Sequence, residues 1–222
     1  MIVAVTGGKG GVGKTTVAYN LGAALDAVVV DADLGMADLP DARGPDLHDV
    51  LAGRANAIEA VHEETPVSIL PCGRSLAGAR AADPRTLVAT IESVATAYGR
   101  VVVDCPAGMG GDVGLSLCAA DACVLVTTPT QAALSDAVRA RALARELDAG
   151  LVSIVVNRDD GSACLDRIAH ELGAPVTSIP PSPSLENAQA AGRPVTETAP
   201  TSTAAERIRT VANAVQSSLR SL

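Results

Sequence analysis

Residues 2–25 read IVAVTGGKGGVGKTTVAYNLGAAL, so that a short apolar run leads through a glycine-rich turn into a segment with helical character. The turn satisfies the pattern G-x-x-x-x-G-K-[ST], between a predicted strand and a predicted helix, which is the context in which this pattern binds phosphate groups. Glycines let consecutive backbone N–H groups converge on phosphate oxygens, and the amino end of the helix adds its partial positive charge. The stretch therefore predicts a phosphate-binding turn.

The residue types in the turn suit different parts of a nucleoside triphosphate. Lys14 is predicted to bridge the β- and γ-phosphates, and the Thr15 hydroxyl is predicted to ligate Mg²⁺. A glycine-rich turn without a ligand is the alternative, but the flanking strand and helix favour phosphate binding. The predicted cofactors are ATP and Mg²⁺, and the predicted nucleotide-binding residues of the turn are Gly8, Lys9, Gly10, Gly11, Val12, Gly13, Lys14, Thr15 and Thr16.

Beyond the turn, short apolar runs alternate with helical segments. The runs are continuously apolar, as expected for strands that are buried on both faces of a parallel sheet. The segments between them carry apolar residues at helical spacing, as in residues 134–147 and 208–219. We therefore predict an α/β fold with a doubly wound, mostly parallel sheet flanked by helices, in one domain over residues 1–222. The predicted strands are residues 2–5, 27–30, 67–70, 100–103, 122–127, 151–156 and 176–179.

Composition and charge narrow the classes of partner. Hydrophobic residues make up 48% of the chain, yet it contains no Phe or Trp, so the core must be aliphatic. The formal net charge is −8 and the pI is near 4.8, so most of the surface should repel nucleic-acid backbones and anionic lipid headgroups. Nucleic acid is therefore not the expected partner.

Lysine is confined to the glycine-rich turn. The chain has 17 Lys and Arg residues, and its only lysines are Lys9 and Lys14. An acidic, alanine-rich and lysine-poor chain is typical of proteins from salt-loving organisms, which predicts a haloarchaeal source, although a GC-rich genome would also favour Arg over Lys. Either way, the turn requires ammonium groups where the rest of the chain accepts guanidinium groups.

The cytoplasm is the predicted location. Residues 1–6 lead at once into glycines and lack the basic head and cleavage site of a signal peptide. No apolar stretch reaches the roughly 18 residues of a membrane span. The five cysteines are odd in number and irregularly spaced, which argues against a disulfide framework and favours buried thiols; they are Cys72, Cys105, Cys118, Cys123 and Cys164.

The early lysine of the turn points to a particular family. Lys9 makes the motif KGGVGKT, a deviant Walker A motif, and here the sequence resembles the MinD/ParA family of ATPases. The resemblance continues through LHDVLAG at residues 47–53, which is typical of the MinD-like branch, and covers nearly the whole chain. It implies that Lys9 reaches across a dimer interface to the nucleotide of the other subunit.

Two further motifs of that family carry carboxylates. DADLGMADL, residues 31–39, resembles switch I, and the resemblance implies that Asp33 positions the attacking water while Asp31 lies near the water shell of the metal. VVVDCPAG, residues 101–108, resembles switch II, and Asp104 is expected to hold Mg²⁺ through water. An acidic strand end is also an ordinary turn feature. The predicted catalytic residues are Lys9, Lys14 and Asp33, and the predicted metal ligands are Thr15, Asp31 and Asp104.

The predicted adenine contacts lie late in the chain. Asn157 and Arg158 follow the sixth predicted strand and match the adenine-binding position of the family, where an Asn amide both donates to and accepts from the purine edge. IPPSPSLENAQAAGRPV, residues 179–195, resembles the family's loop over the base, which implies that Pro180 and Pro181 contact adenine through their backbone. Asn after a strand is also an ordinary turn residue.

The resemblance implies a slow, Mg-dependent ATPase that dimerises with ATP and positions or regulates an unknown partner or activator. Two alternatives stay open: a metal-cluster carrier or reductase, for which Cys105 is the odd candidate, and a DNA-partition ATPase that uses Arg139, Arg141 and Arg145. MinD relatives carry a basic, hydrophobic helix after the ATPase domain. Because this chain ends at Leu222, directly after its last predicted helix, no direct membrane anchor is expected.

Overall fold

The computed structural model describes residues 1–35, 39, 44–63 and 65–220, and these residues build a parallel sheet covered by helices. The sheet has seven strands among the described residues, in the order β3-β2-β4-β1-β5-β6-β7, and every strand pairing in it is parallel. The strands are β1 Ile2–Thr6, β2 Val28–Asp31, β3 Ile69–Leu70, β4 Val101–Asp104, β5 Ala122–Thr127, β6 Gly150–Asn157 and β7 Val176–Ile179. The predicted fold class is thereby confirmed.

The helices account for most of the segments between the strands. They are α1 Lys14–Leu25, α2 Leu47–Leu51, α3 Leu76–Ala81, α4 Leu87–Tyr98, α5 Gly111–Cys118, α6 Gln131–Glu146, α7 Leu165–Leu172, α8 Pro183–Ala190, α9 Val195–Thr198 and α10 Thr203–Leu219. No helix in the described part of the chain is both long and apolar enough to cross a lipid bilayer.

Helices cover both faces of the sheet, which explains why the strands are continuously apolar. In β1, Val3 and Val5 belong to one layer of the core, and Ile2 and Ala4 belong to the other. The first layer contains residues of α1 and α10, and the second contains residues of α4 and α5. A third cluster joins α6 and α7 to β5 and β6. Aliphatic side chains fill these layers, as the composition predicts.

Helix α6 forms as its apolar spacing predicts, but it buries a different face. Its buried side chains are alanines, whereas Val138, one of the larger apolar residues at helical spacing in residues 134–147, is 50% exposed. Small side chains let a helix approach a sheet closely, so alanines occupy the contact with β5 while the larger residues lie at its margin. The buried residues are Ala133, Ala137, Ala140 and Ala144.

The cysteines follow the predicted pattern only in part. Cys72, Cys105 and Cys123 are buried, whereas Cys118 and Cys164 are exposed. The expectation of buried thiols is therefore wrong for Cys118 and Cys164, because Cys118 is the last residue of α5 and lies outside its buried set, and Cys164 is the N-cap residue of α7. None of the five forms a disulfide, as the irregular spacing predicts.

Candidate nucleotide-binding site

The strand order brings three predicted motifs to one edge of the sheet. β4 lies between β1 and β2, and Asp104 is in register with Val5 on one side and with Asp31 on the other. The glycine-rich turn, switch I and switch II each follow the carboxyl end of one of these strands. Ligands of open α/β sheets bind in this crevice, where successive connections leave in opposite directions.

The glycine-rich turn has a backbone that requires glycine. Gly11 and Gly13 have φ angles of 77° and 98°, in the left-handed region that side chains disfavour. A Cβ at Gly13 would collide with the amide nitrogen of Asn157, whereas the outer side of Gly11 is open, with nothing within 4 Å of a Cβ placed there. The turn is therefore packed against the protein at Gly13 and open at Gly11.

Helix α1 begins directly at this turn, with Lys14 as its first residue. Its N-cap is Gly13, so no side chain caps its first N–H groups, and its first turn contains no acidic residue. An anion would complete the hydrogen bonding of such a helix end and would interact favourably with the helix dipole. The turn and α1 thus fit a phosphate group.

The two lysines of the turn have different environments. Lys14 is only 8% exposed and is directed back over the turn, with its side chain near Gly7. Lys9 is exposed to solvent. Thr15 and Thr16 lie half-buried in the first turn of α1, and the Thr16 hydroxyl donates to Oε1 of Gln189 at 2.8 Å. The Lys14 ammonium is therefore available to a ligand bound in the turn, whereas the Lys9 ammonium is available to solvent or to another molecule.

The switch I segment is described at residues 31–35 and 39, and the rest of the motif lies outside the described residues. Asp31 is fully buried at the end of β2, and its Oδ1 accepts from the backbone N–H of Asp33 at 3.2 Å. Asp33 is half-buried two residues beyond the end of β2. The backbone N–H of Ala32 donates to the Asp104 carbonyl at 3.0 Å and ties switch I to β4.

The switch II segment places a second carboxylate beside the first. Asp104 is 1% exposed at the end of β4, opposite Asp31 in the sheet. Cys105 follows it and is equally buried, and burial together with the Asp104 carboxylate raises the pKa of this thiol far above its usual range. After Gly108, whose φ is 91°, the loop exposes about half of the Met109 side chain. Two buried carboxylates thus line the edge beside the turn.

Asn157 and Arg158, the predicted adenine contacts, hold the glycine-rich turn in this structure. Nδ2 of Asn157 donates to the Val12 carbonyl at 2.9 Å, and Oδ1 accepts from the backbone N–H of Arg158 at 3.0 Å. The Arg158 guanidinium donates to the Gly11 carbonyl at 3.1 Å. Sequence reasoning missed this support, because the bonded residues are 145 and 147 positions apart in the chain. Their contact with adenine stays a prediction.

Pro180 and Pro181 follow β7 and lie near Asn157, because Asn157 is in register with Ile179. Pro180 is half-buried and Pro181 is exposed. The four predicted adenine contacts are therefore neighbours at one end of the sheet, on the β6–β7 side of the turn. This proximity is consistent with a shared role, which also stays a prediction.

A cavity of about 430 Å³ adjoins the first turn of α1 on its α8 side. Thr15 and Thr16 line it, but the predicted adenine contacts do not. The Tyr19 hydroxyl donates to the Gly192 carbonyl at 2.7 Å in its wall, and burial raises the pKa of this phenol to about 12. The residues that sequence reasoning missed in this wall are Tyr19, Asn20, Leu39, Gln189, Ala190 and Gly192.

Comparisons with known proteins agree with this geometry. Residues 3–195 match the CobQ/CobB/MinD/ParA nucleotide binding domain. An uncharacterized ATP-binding protein of Methanocaldococcus jannaschii is 32% identical over 95% of this chain and 85% of its own length. The cell division ATPase MinD of Pyrococcus furiosus has a TM-score of 0.90 at 30% identity, covering 97% of this chain and 98% of that one.

A second solved structure is informative about ligands. The septum site-determining protein MinD of Pyrococcus horikoshii, complexed with Mg-ADP, has a TM-score of 0.89 at 29% identity, covering 96% of this chain and 95% of that one. The similarity in fold and sequence thus extends over nearly the whole of both MinD structures. The chain therefore belongs to the MinD/ParA family of P-loop nucleotide-binding domains, as its motifs predict.

Proposed function

We propose that this protein is a MinD-like ATPase that binds ATP with Mg²⁺, hydrolyses it slowly and uses the ATP-bound dimer to position or regulate a partner. One observation carries the proposal: the turn with Lys14 and the carboxylates of Asp31, Asp33 and Asp104 meet at one edge of the sheet, beside the uncapped end of α1. The Mg-ADP complex of the Pyrococcus horikoshii relative supports the same choice of ligand.

In this proposal the chain binds and orients the triphosphate. The backbone N–H groups of the turn and the Lys14 ammonium hold the phosphate oxygens, and Asp33 orients the attacking water. Oxygen donors suit Mg²⁺, so Thr15 would bind it directly while Asp31 and Asp104 hold it through water. The ion, when bound, would neutralise charge on the phosphates. Asn157 and Arg158 bond to the Val12 and Gly11 carbonyls and so hold the turn. In the proposal they would also contact the adenine base.

The dimer part of the proposal depends on Lys9. An exposed ammonium beside the phosphate site can reach a nucleotide bound by a second copy, and two copies related by a twofold axis would each supply one lysine. The cytoplasmic location and the single-domain organisation over residues 1–222 belong to the proposal as well.

The alternative functions receive less support from the described residues. A cluster carrier needs accessible thiolates grouped around the metal, but Cys105 is buried and its pKa is raised. The exposed Cys118 and Cys164 belong to no metal-ligating group of three or more side chains among the described residues. A DNA-binding ATPase needs a basic patch, but Arg139 forms an ion pair with Asp136, and Nε of Arg141 donates to the Leu172 carbonyl at 3.1 Å. These two guanidinium groups are engaged within the protein, so the geometry favours the MinD-like function.

Phosphate release by the purified protein tests the proposed function. We expect slow ATP turnover that requires Mg²⁺ and stops when the metal is chelated, since the charge on the phosphates is then uncompensated. Iron content, measured on the same sample, should be negligible. A colourless protein without Mg-dependent turnover would contradict the ATPase, and stoichiometric iron would support the cluster carrier instead.

We expect α10 not to attach the protein to lipid, because its apolar side chains are already packed in the protein core. Ile208, Val211 and Val215 are buried in the core against α1, β6 and β7. Each basic residue near an anionic surface contributes only about 1 kcal/mol, and the net charge of −8 opposes the attraction. Liposome flotation with ATP and Mg²⁺ tests this. Protein that rises with anionic liposomes, but not after removal of residues 217–222, would contradict it.

A further inference from the structure

A buried imidazole and a buried thiol contact the backbone of switch I. His48 lies in α2 and is 2% exposed; Cys72 lies two residues after β3 and is fully buried. Sγ of Cys72 donates to the carbonyl of Asp33 at 3.0 Å, and Nε2 of His48 lies 3.1 Å from the carbonyl of Leu34. The same Nε2 is 3.4 Å from Sγ of Cys72. Two consecutive carbonyls of switch I are therefore held by one pair of side chains.

The two backbone carbonyls that accept these hydrogen bonds show which atoms of Cys72 and His48 carry a proton. Carbonyl oxygens only accept hydrogen bonds, so the bond to Asp33 requires a protonated thiol and the bond to Leu34 requires a proton on Nε2. Burial, with the nearby carboxylates of Asp31, Asp33 and Asp46, raises the pKa of the Cys72 thiol and keeps it protonated. The pair thus acts as two donors toward the backbone of switch I.

The pair is itself fixed by the backbone around it. The N–H of Leu47 donates to the Pro71 carbonyl at 2.8 Å, and the N–H of His48 donates to the Cys72 carbonyl at 3.2 Å. Asp46 caps α2 reciprocally with Asp49. These bonds join α2 to the segment after β3 and fix the backbones that carry the two side chains relative to each other.

Switch I is therefore held from two sides. On one side the Ala32 N–H is bonded to the Asp104 carbonyl of β4, and on the other the pair holds the carbonyls of Asp33 and Leu34. The side chain of Asp33 branches from the backbone between these attachments. A shift of about 1 Å in such a group reduces a rate on the order of a hundredfold.

We propose that His48 and Cys72 are positioning residues that hold the backbone of Asp33 and Leu34 and thereby set the place of the Asp33 carboxylate during ATP hydrolysis. Neither residue touches the nucleotide in this proposal, which rests on the proposed ATPase function. Loss of either donor should lower kcat and leave the affinity for ATP nearly unchanged, because the pair bonds to the backbone of switch I, whereas the phosphates are held by the glycine-rich turn and Lys14.

Four substitutions test the proposal. Cys72→Ala and His48→Leu remove a donor, whereas Cys72→Ser and His48→Gln keep a donor at nearly the same place. Because one hydrogen bond contributes on the order of 1 kcal/mol, we expect the first two to lower kcat about three- to tenfold with the Kd for Mg-ATP within about twofold. The second two should restore most of kcat. The proposal would be overturned if kcat fell in proportion to the loss of thermal stability in all four variants and the two variants that retain a donor recovered no activity.

Cys123→Ala is the matched control. Cys123 is another buried thiol whose Sγ donates to a carbonyl, that of Ala149 at 3.5 Å, but it lies near the amino end of β5, away from the site. This variant should lose stability and keep the kcat of the wild type. Equal losses of kcat in Cys123→Ala and Cys72→Ala would show a general effect of core packing and would contradict a positioning role.

Hydrogen exchange separates this inference from the proposed function. The amides of residues 32–35 should exchange about three- to tenfold faster in Cys72→Ala and His48→Leu than in the wild type, without any nucleotide. Faster exchange in a protein that does not hydrolyse ATP would support the pair and refute the ATPase. Unchanged exchange and unchanged kcat in an active ATPase would refute the pair alone.

Discussion

Asp33→Ala is expected to lower ATP turnover by about a hundredfold or more, because a side chain that positions the reacting water contributes roughly 10²–10⁴-fold to a rate. Binding should persist, since Lys14 and the glycine-rich turn hold the phosphates without Asp33. The bond from Cys72 to switch I should also persist, because it goes to the backbone carbonyl of Asp33. Single-turnover hydrolysis, with a parallel measurement of ATP affinity, separates the two steps.

Two companion variants sharpen this test. Asp33→Asn keeps the shape of the side chain and removes its charge, so turnover should fall nearly as far as with alanine. Asp166→Ala removes an exposed carboxylate in the first turn of α7 and should leave turnover unchanged. Hydrolysis by Asp33→Ala at the wild-type rate would show that the water is oriented by another group.

Lys9→Ala is expected to abolish ATP-dependent dimerisation. In the wild type, ATP with Mg²⁺ should raise the sedimenting mass from 22.2 kDa to twice that value, whereas ADP should not. Without the ammonium, the γ-phosphate at the interface would lose its cation from the second subunit, and the variant should stay monomeric. Lys14 is unchanged and buried within the turn, so the monomer should still bind ATP.

Sedimentation with a non-hydrolysable ATP analogue measures this directly. Lys9→Arg tests whether the site needs a compact ammonium, and we expect it to restore dimerisation poorly. Arg54→Ala removes another exposed cation, one that is paired with Asp49, and should dimerise like the wild type. A wild-type protein that stays monomeric with the analogue and Mg²⁺ would refute the dimer, and a dimeric Lys9→Ala would refute the role of Lys9.

The sequence predicted the sheet well because its strands are buried on both faces. The predicted bounds of β5 and β7 agree with the structure, and β1, β2 and β4 differ by about one residue at their ends. A strand between two layers of helices contains almost no polar residue, so its apolar run is evident in the sequence. The face of α6 was harder to predict, because alanines line the contact and larger residues dominate the pattern.

The sequence by itself determined the glycine-rich turn, since the φ angles of Gly11 and Gly13 depend on neighbouring residues. Strand order, in contrast, is a property of the whole chain. It alone decided that Asn157 bonds to the turn and that Cys72 bonds to switch I, across 145 and 39 positions. Local dihedral preferences and periodicity are set within a few residues, whereas the partner of a buried donor is set by which distant segment the packed sheet brings to it.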